Sequence, residues 1–267
     1  MASSSGAKVI YDFGSNNGDD IPYYLLKADQ VIAVEANPEL CDLIQSRFQG
    51  DINSGRLEIV NAVLTVDDDE TYAPFYIHRT NHVQSQFPRP READMHLYDE
   101  VRLPSRNVVS IIEKFGAPYY IKIDIEHYDQ VILKTIFDHG IRPPHMSAES
   151  HSAEVFALML AVGGYQSFNL VDGESVSTCY GEAAIQTEHG SEHYAFPFHS
   201  AGPFGEDIAS PWLTPDNFLY LLAFEHLGWK DIHVSNVIPA DPTVKPYMKS
   251  YFRKALIRKG KALLGMS

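Results

Sequence analysis

Short apolar runs that end in an acidic residue recur along the chain, and helical patterns separate them. The first run covers residues 8–13 (K-V-I-Y-D-F), the second covers residues 30–35 (Q-V-I-A-V-E), and a later one covers residues 119–125 (Y-Y-I-K-I-D-I). Continuous apolar runs of this length are typical of buried parallel strands, so their alternation with helices predicts an α/β fold. We expect a mostly parallel central sheet with helices on both faces. Ligands of such sheets bind at the carboxyl ends of the strands, which is where the acids fall.

Further periodic segments extend this arrangement toward residue 171. The pattern predicts helices over residues 21–26, 37–48, 108–115 and 153–162, and further strands over residues 57–64, 146–149 and 166–171. Prolines with mixed aromatic and charged residues at 72–104 indicate an insertion, and a glycine- and proline-rich segment at 197–215 indicates a second structured loop. We therefore assign residues 1–244 to one domain, with those two segments as substrate-side loops, and residues 245–267 to a basic C-terminal helix.

Composition narrows the classes of partner and compartment. A formal net charge of -14 argues against a protein that neutralises nucleic-acid phosphates, so no nucleic-acid partner is expected. Cys41 and Cys179 are far apart and form no C-x-x-C motif, and residues 1–7 lack the pattern of a signal peptide. With no transmembrane run, these features predict a cytoplasmic protein. The tail from residue 245 carries seven basic and no acidic residues, which suits docking on its own acidic domain or a peripheral contact with an anionic surface.

A glycine-containing loop, D-F-G-S-N-N-G-D at residues 12–19, directly follows the first predicted strand. Gly14 and Gly18 permit a sharp turn and a close approach of the backbone to a ligand. Glu35, at the end of the second strand, is placed to accept hydrogen bonds from two ribose hydroxyls. Nicotinamide dehydrogenases and methyltransferases share that arrangement, so the loop itself has to discriminate between them.

The acids that follow Gly18 favour a cationic ligand. A dinucleotide site uses G-x-G-x-x-G, so that the pyrophosphate can lie on the helix N-terminus. Here the pattern is G-x-x-x-G followed by Asp19 and Asp20, whose carboxylates would repel a pyrophosphate. The same carboxylates can help to hold the sulfonium and amino groups of S-adenosylmethionine.

Three motifs resemble those of the FkbM family of methyltransferases. The loop at residues 12–19 is similar to the family's D-x-G-A-N-x-G-D, V-E-A-N-P at 34–38 is similar to its second motif, and I-K-I-D-I-E-H-Y-D at 121–129 is similar to its K-x-D-x-E-G. The matches occur in the correct order across residues 9–170. The resemblance implies a Rossmann-like class I methyltransferase fold and S-adenosylmethionine as cofactor, with S-adenosylhomocysteine as product.

The resemblance also implies positions for the cofactor. The residues that it places at the cofactor, together with their immediate neighbours in the motifs, are Asp12, Gly14, Ser15, Asn16, Gly18, Asp19, Glu35, Ala36, Asn61, Ala62 and Asp124. Asn61 and Ala62 are expected near the adenine. Ser15 stands where the family usually has alanine. His127 stands where it usually has glycine, which puts a titratable side chain beside the reaction centre.

Four acidic and histidine side chains repeat one spacing on two strands. Asp124 and Glu126 are two residues apart at one predicted strand end, and Glu149 and His151 have the same spacing on the next. Residues two apart on a strand share a face, so we expect these groups to converge in one cleft. An alcohol needs a base to remove its proton, and His127 and His151 are the leading candidates, with Asp124 and Glu126 as further catalytic residues. We assign no metal ligands; Mg²⁺ on Asp124, Glu126 and Glu149 is a less favoured alternative.

Acceptor binding is expected on the later loop. Its aromatic and acidic side chains suit a sugar, so we assign the acceptor to Glu149, His199, Glu206, Asp207 and Trp212. These expectations predict O-methylation of a hydroxyl on a small polar acceptor, most readily a sugar or glycoconjugate. The alternatives are N-methylation of a peptide or amide and a catalytically silent glycan-binding module that keeps the cofactor fold. A nicotinamide-dependent dehydrogenase is a further alternative, against which the loop pattern argues.

Overall fold

A seven-stranded sheet forms the centre of the computed structural model, which describes residues 6–67 and 71–244. The strands in chain order are β1 (Val9–Phe13), β2 (Gln30–Glu35), β3 (Leu57–Asn61), β4 (Val63–Thr65), β5 (Tyr72–His78), β6 (Tyr98–Asn107), β7 (Pro118–Ile123), β8 (His145–Ser150), β9 (Ser167–Asp172), β10 (Ala183–Thr187), β11 (Gly190–Tyr194) and β12 (Gly228–Ser235). The α-helices are α1 (Ile21–Lys27), α2 (Pro38–Arg47), α3 (Gln49–Asn53), α4 (Val108–Phe115), α5 (Asp129–Asp138), α6 (Ala153–Ala161), α7 (Val176–Cys179) and α8 (Pro215–Glu225).

The central sheet is mixed, with its parallel strands on one side. The order is β3-β2-β1-β7-β8-β12-β9, and the first five strands are parallel. The strand β12 is antiparallel to both of its neighbours, β8 and β9. This arrangement confirms the predicted α/β fold with a mostly parallel sheet. The order reverses at β1 and β7, so the carboxyl ends of these two strands mark the place where ligands of such sheets bind.

Neighbouring residues of β1 point into two separate cores, as expected for a strand that is covered on both faces. Tyr11 belongs to a cluster that includes side chains of α4, α5, α6 and α8. Ile10 belongs to a second cluster that includes side chains of α1 and α2 together with Phe204. All three of these side chains are almost fully excluded from solvent. Burial of each such side chain contributes about 1.5–3 kcal/mol, which explains why the strands read as continuous apolar runs.

The predicted segments differ from the observed elements where the chain leaves the sheet. The strand at 30–35 and the helix at 108–115 have the predicted bounds. The predicted strand at 57–64 is instead two strands, because the chain turns at Ala62 and β4 pairs with β6 outside the central sheet. The predicted helix at 37–48 is followed by a separate short helix, α3. Residues 129–138, 215–225 and 228–235 form α5, α8 and β12, for which the sequence pattern was not interpreted.

The segment 72–104 contributes to a small sheet of its own. The strands β5 and β6 pair in antiparallel fashion, and β4 joins β6 as a parallel third strand. The residues between β5 and β6 include two short 3-10 helices, His82–Gln84 and Met95–Leu97. Several side chains of this connection reach the cavity described below. The segment 197–215 is irregular apart from a short 3-10 helix at Gly205–Asp207.

Two predictions concern membranes and the tail. Within the described ranges, none of the helices combines the length and apolarity needed to cross a bilayer. The predicted basic helix at 245–267 lies outside the described residues.

Candidate functional site

A cavity of about 480 Å³ opens at the carboxyl ends of β1, β2 and β7. Its wall is formed by the loop after β1, the end of β2, the start of β4, the connection between β5 and β6, and the residues after β7. The lining residues are Gly14, Ser15, Asn16, Asn17, Asp19, Asp20, Val34, Glu35, Ala36, Leu40, Ala62, Val63, Leu64, Phe75, Asn81, His82, Val83, Gln84, Ser85, Phe87, Lys122, Asp124, Ile125, Glu126, Tyr128, Glu149, His199 and Trp229. The cavity is large enough for a nucleoside-sized ligand and lies where the sheet topology predicts a site.

The loop after β1 turns on glycines that no other residue can replace without strain. Gly14 has φ 85°, and a Cβ at this position would lie 1.8 Å from the backbone oxygen of Asp124. Gly18 has φ 80° and packs against α1 and α2. The backbone N–H groups of Gly14 and Ser15 both donate to the carbonyl of Val34, at 3.0 and 3.1 Å. The loop is therefore pressed against β2 on one side and against the residues after β7 on the other.

Glu35 is held by backbone donors and faces the cavity. Its two carboxylate oxygens accept from the N–H groups of Asn16 at 2.9 Å and Asn37 at 2.8 Å. Burial raises the pKa of Glu35 to about 7, against the lowering effect of these two bonds. Each carboxylate oxygen has a second lone pair, so a ligand hydroxyl can still donate to either. This geometry suits the vicinal hydroxyls of a ribose.

Lys122 lies at the centre of a buried group of carboxylates. Its Nζ is 3.5 Å from Asp12, 3.7 Å from Asp20 and 3.3 Å from Asp124. Burial lowers the pKa of Lys122, but these three carboxylates together with Asp231 outweigh that effect and raise it well above its usual range. The lysine is therefore charged, and it stabilises acids that would otherwise be buried without a counter-ion. Lys122 could have been identified from the sequence, because it is the only charged residue inside the apolar run at 119–123.

Asp20 and Asp231 also belong to this buried group; the sequence predicted that the carboxylate of Asp20 helps to hold a cationic ligand, whereas Asp231 was not predicted. The Oδ1 of Asp20 accepts from the Ser200 hydroxyl at 2.5 Å and from the Ala201 N–H at 3.0 Å. Burial raises the pKa of Asp20 to about 6. Asp231, on β12, lies opposite Glu149 in the sheet, and burial followed by the charges of Asp124 and Glu149 raises its pKa well above the usual range. Asp231 was missed because β12 enters the sheet between strands that precede it in the chain.

Asp12 has an environment that points to a ligand. It is fully buried beneath the loop, and neither carboxylate oxygen has a hydrogen-bond partner within the described residues. Burial raises the pKa of Asp12, whereas the charge of Lys122 lowers it. A buried carboxylate is stabilised by a nearby cation or donor. A cationic ligand beside the loop would satisfy the acids that Lys122 alone does not neutralise.

A second cluster, Glu126, His127 and His151, lies beside Glu149 at the end of the cavity. The Nε2 of His151 is 3.7 Å from Glu126 Oε2 and 2.9 Å from Glu149 Oε2, and the latter contact lacks hydrogen-bond geometry. The Nε2 of His127 is 4.0 Å from Glu126 Oε2, and the two imidazole rings are 5.1 Å apart. The predicted convergence of these groups is therefore observed, with Glu126 and Glu149 lining the cavity and the histidines immediately behind them.

The reason for this convergence differs from the predicted strand alternation. β7 ends at Ile123, and β8 ends one residue before His151. Glu126 and His127 both have left-handed backbone conformations, with φ 39° and 66°. A tight turn, and not a continued strand, therefore brings their side chains together. The left-handed backbone suits the glycine that the resembling K-x-D-x-E-G motif has at the position of His127.

Burial dominates the electrostatics of the second cluster. It raises the pKa of Glu126 to about 7 and that of Glu149 to about 10, in the second case with help from neighbouring Asp124. Burial and the charge of His151 lower the pKa of His127. The cluster therefore places the two imidazoles next to Glu126, whose carboxyl group takes up a proton near pH 7, and next to Glu149, whose carboxyl group is protonated at neutral pH.

The structure brings most of the predicted cofactor residues to the cavity. Gly14, Ser15, Asn16, Asp19, Glu35, Ala36, Ala62 and Asp124 line it directly. Asp12 and Gly18 lie behind the wall. The amide of Asn61 donates to the carbonyls of Glu35 and Ala36, at 3.0 and 2.9 Å, so Asn61 supports the backbone at the end of β2.

On the acceptor side, the structure separates the predicted residues. Glu149 and His199 line the cavity, whereas Glu206, Asp207 and Trp212 do not. Asp207 is buried, where it pairs with Lys27 at 2.8 Å and accepts from the Tyr23 hydroxyl at 2.8 Å. Trp212 is packed in the apolar core, and Glu206 is exposed. These residues have structural contacts because the loop folds back onto α1 instead of over the cavity.

Trp229 takes the position at the cavity that the sequence suggested for Trp212. It begins β12, lines the cavity, and lies 6.0 Å from the ring of His199 and 5.4 Å from that of Phe198. Phe198 is 52% exposed, so this aromatic group is open to solvent at the rim. A tryptophan near a glycine-rich loop is a weak sequence signal, and Trp229 lies outside that loop.

Comparison with known families agrees with this geometry. The family model for the methyltransferase FkbM domain matches residues 12–156, which include the glycine loop, Glu35, Lys122 and the second cluster. The chain belongs to the FkbM methyltransferase family. Membership confirms the class I methyltransferase fold and S-adenosylmethionine as the cofactor. A search of curated protein sequences gave no significant match.

Solved structures similar to this FkbM methyltransferase are distant in sequence. A methyltransferase FkbM from Methylobacillus flagellatus is 15% identical, with 64% of this chain and 41% of that chain covered and a TM-score of 0.41. This chain therefore spans less than half the length of that protein. A precorrin-6y C5,15-methyltransferase from Geobacter metallireducens is 8% identical (85% and 79% covered, TM-score 0.38). An O-methyltransferase from Bacillus cereus in complex with SAH is 9% identical (86% and 74% covered, TM-score 0.36).

Proposed function

We propose that this FkbM methyltransferase methylates a hydroxyl group of a small polar acceptor, a sugar or a glycoconjugate. The observation that carries the proposal is the position of the two imidazoles of the second cluster immediately behind Glu126 and Glu149, which line the same cavity as Glu35 and the glycine loop. An alcohol, unlike an amine, needs a base when it is methylated. The compartment we propose is the cytoplasm, which suits the unpaired cysteines Cys41 and Cys179.

The residues at the carboxyl ends of β1 and β2 fit the cofactor. Glu35 would accept the ribose hydroxyls, because its oxygens keep lone pairs that face the cavity. Asp12 would attract the positively charged end, because the buried acids around Lys122 leave an excess of negative charge. Asp19 lines the cavity as well, but its carboxylate is paired with Arg47 at 3.0 Å. When bound, S-adenosylmethionine supplies an electrophilic methyl group. Gly14 allows the backbone to approach the ligand, since a Cβ would fill the space beside Asp124.

His127 and His151 supply the base in this proposal. A neutral imidazole within hydrogen-bond reach of an acceptor hydroxyl can take its proton, an effect that typically contributes about 10²–10⁴ in rate. Burial favours the neutral form of His127 by lowering its pKa. The carboxyl group of Glu126 lies 3.7 Å from His151 Nε2, and in its ionised form it stabilises the imidazolium that results. Glu149 lies 2.9 Å from the same nitrogen, but its pKa of about 10 keeps it a neutral carboxyl group.

The rim of the cavity suits a ring with one apolar face. Trp229 and His199 line it, and Phe198 extends the aromatic surface into solvent. Asp20 ties this rim to the cofactor loop, because it holds Ser200 and Ala201 next to His199. In this proposal the acceptor lies between the aromatic rim and the histidine pair.

The test is methyl transfer to a panel of acceptors. The purified protein would be incubated with S-adenosylmethionine and nucleotide sugars, oligosaccharides, and peptides, and the products examined by mass spectrometry and NMR. A methyl group on a sugar oxygen supports the proposal, and one on a peptide nitrogen supports the N-methyltransferase alternative. Cofactor binding with no transfer to any acceptor favours the glycan-binding module.

A pair of variants tests the role of the histidines. His151→Ala should lower kcat by about 10²-fold or more while leaving the affinity for S-adenosylmethionine nearly unchanged. His193→Ala is the matched control, because His193 is exposed on the β10–β11 hairpin and does not line the cavity. An equal loss of turnover and cofactor affinity in His151→Ala would contradict the assignment.

A further inference from the structure

We propose that Glu126, His127 and His151 bind a divalent transition metal ion of the zinc or iron(II) type at the acceptor end of the cavity. Each residue can offer one ligand atom, and these three atoms lie within 4.8 Å of one another. The positions of these side-chain atoms support the metal site without reference to methyl transfer. Only its consequence for the acceptor rests on the proposed function.

The distances between the ligand atoms are close to those of a metal site. Bonds of about 2.1 Å place neighbouring ligand atoms of a tetrahedral ion about 3.4 Å apart. In this structure Glu126 Oε2 is 3.7 Å from His151 Nε2 and 4.0 Å from His127 Nε2. The two imidazole ligand atoms lie within 4.8 Å of each other. Completing the coordination therefore needs contractions from a few tenths of an ångström at Glu126 to as much as about 1.4 Å between the imidazoles, which rotation of the largely exposed His127 side chain can supply.

The backbone around the cluster is held in a sparsely populated conformation. Glu126 and His127 are consecutive non-glycine residues with positive φ, 39° and 66°. Each such residue costs about 1 kcal/mol or more relative to an ordinary backbone conformation, and such outliers concentrate at functional sites. The strain has the effect of turning the carboxylate of Glu126 and the imidazole of His127 toward His151. Glycine at position 127 would remove the strain together with the imidazole.

The Nε2 of His151 is buried and has no hydrogen-bond partner within the described residues. It lies 2.9 Å from Glu149 Oε2, but outside hydrogen-bond geometry. Buried polar atoms are normally satisfied, so an unpaired imidazole nitrogen beside two carboxyl groups indicates a missing partner. A metal ion between His151 and Glu126 would use this lone pair, with Glu149 as an orienting neighbour or a fourth ligand.

The ligand set favours a transition metal over magnesium. Two imidazoles with one carboxylate match zinc and iron(II), whereas magnesium prefers oxygen ligands and retains its water. The site thus differs from an all-oxygen set of Asp124, Glu126 and Glu149. Three protein ligands leave at least one coordination position open, as in catalytic metal sites.

The open position faces the cavity, because Glu126 and Glu149 line it. An acceptor with a hydroxyl oxygen could therefore bind the ion directly. A metal-bound oxygen loses its proton to water more readily, because the ion stabilises the resulting negative charge. In the metal-bound protein the imidazoles would act as ligands, and deprotonation of the acceptor would not need a histidine base.

The first experiment is calorimetric titration of the chelator-treated full chain with zinc chloride, followed by titration with magnesium chloride. One zinc ion per chain should bind, and magnesium in equal concentration should not displace it. Replacement of the zinc by cobalt(II) should give visible absorption bands that report imidazole and carboxylate coordination. The absence of zinc binding, or displacement by magnesium, would overturn the proposal.

Variants separate a metal ligand from a structural residue. Zinc binding should weaken at least about tenfold in each of the variants Glu126→Gln, His151→Ala and His127→Gly. Loss of a residue that merely orients a metal ligand already weakens binding by about that factor. His127→Gly should do so without lowering the melting temperature, because glycine accepts the φ of 66°. His193→Ala, an exposed histidine outside the cluster, should leave the affinity unchanged. Zinc binding that is equally strong in all four variants would assign the ion to the surface and refute the site.

Titration with S-adenosylmethionine in the same samples separates this proposal from the proposed function. Loss of zinc binding with intact cofactor binding would refute the metal site and leave the imidazole base in place. Zinc binding without cofactor binding would support the site and contradict the proposed function.

Discussion

The affinity for S-adenosylmethionine should depend on pH through Glu35. Burial raises the pKa of this carboxyl to about 7, with Asn16, Asn37, Asp12 and Lys122 as the neighbours that modify it. The ionised form is the better acceptor for ribose hydroxyls. Because of the raised pKa, Glu35 takes up a proton near neutral pH. The affinity for S-adenosylmethionine should therefore be close to its maximum at pH 8 and should fall as the solution is acidified.

The magnitude follows from the fraction of ionised protein. At one pH unit below its pKa, about a tenth of the molecules carry an ionised Glu35, so the apparent affinity at pH 6 should be about tenfold weaker than the limiting value at high pH. Glu35→Gln removes the charge and keeps the shape. Because hydrogen bonds to a charged group contribute about 1.5–3 kcal/mol, this variant should bind about 10- to 100-fold more weakly at pH 8.

The assay is calorimetric titration between pH 6 and pH 8 with the wild type and Glu35→Gln. In the variant the part of the pH dependence due to Glu35 should disappear, while the contributions of other acids at the cavity remain. Glu39→Gln is the control, because Glu39 is exposed on α2 and absent from the cavity wall. The same pH dependence in the wild type and Glu35→Gln, with both proteins folded by circular dichroism, would refute the reasoning.

Two further predictions concern stability. Gly14→Ala should lower the free energy of unfolding by about 2–4 kcal/mol, from the left-handed backbone and the displacement of Asp124. Gly50 lies in α3 with open space around its Cβ position, so Gly50→Ala should leave the free energy of unfolding unchanged or raise it by up to about 1 kcal/mol. Equal urea midpoints for these two variants would contradict the tight packing of the loop. Burial lowers the pKa of His145 to about 4. Because the usual pKa of histidine is near 6.5, His145 takes up a proton when the chain unfolds at acidic pH. Its contribution to the free energy of unfolding is therefore fully present above pH 6.5 and is lost as the pH falls toward 4, by about 2 kcal/mol at pH 5. His145→Phe should reduce this acid sensitivity in urea titrations at pH 7.5 and pH 5, and an unchanged difference between the two pH values would show that His145 is not its source.

The cofactor half of the site could be predicted from the sequence because its information is local. The loop at 12–19 and Glu35 are adjacent to strands whose apolar pattern marks them as buried, and parallel strands bring their carboxyl ends to one edge. The acceptor half was predicted less well. The segment 197–215 has the composition of a binding loop, but composition does not say whether a loop covers a cavity or packs against the domain. Asp207 packs against the domain, because it contacts Tyr23 and Lys27 of α1.

The sequence by itself determined the α/β class and the family, and it predicted that the loop at 12–19, Asp124 and Glu126 lie at the cavity, because each is encoded within a short stretch whose periodicity or motif can be recognised. Only the tertiary structure decided which distant residues join them. The insertion of β12 between β8 and β9 brings Asp231 and Trp229 to the site, and the buried acids gather around Lys122 from three separate segments. Such contacts depend on strand order and on the competition of all side chains for the two cores of the sheet, and neither is encoded in a local window of sequence.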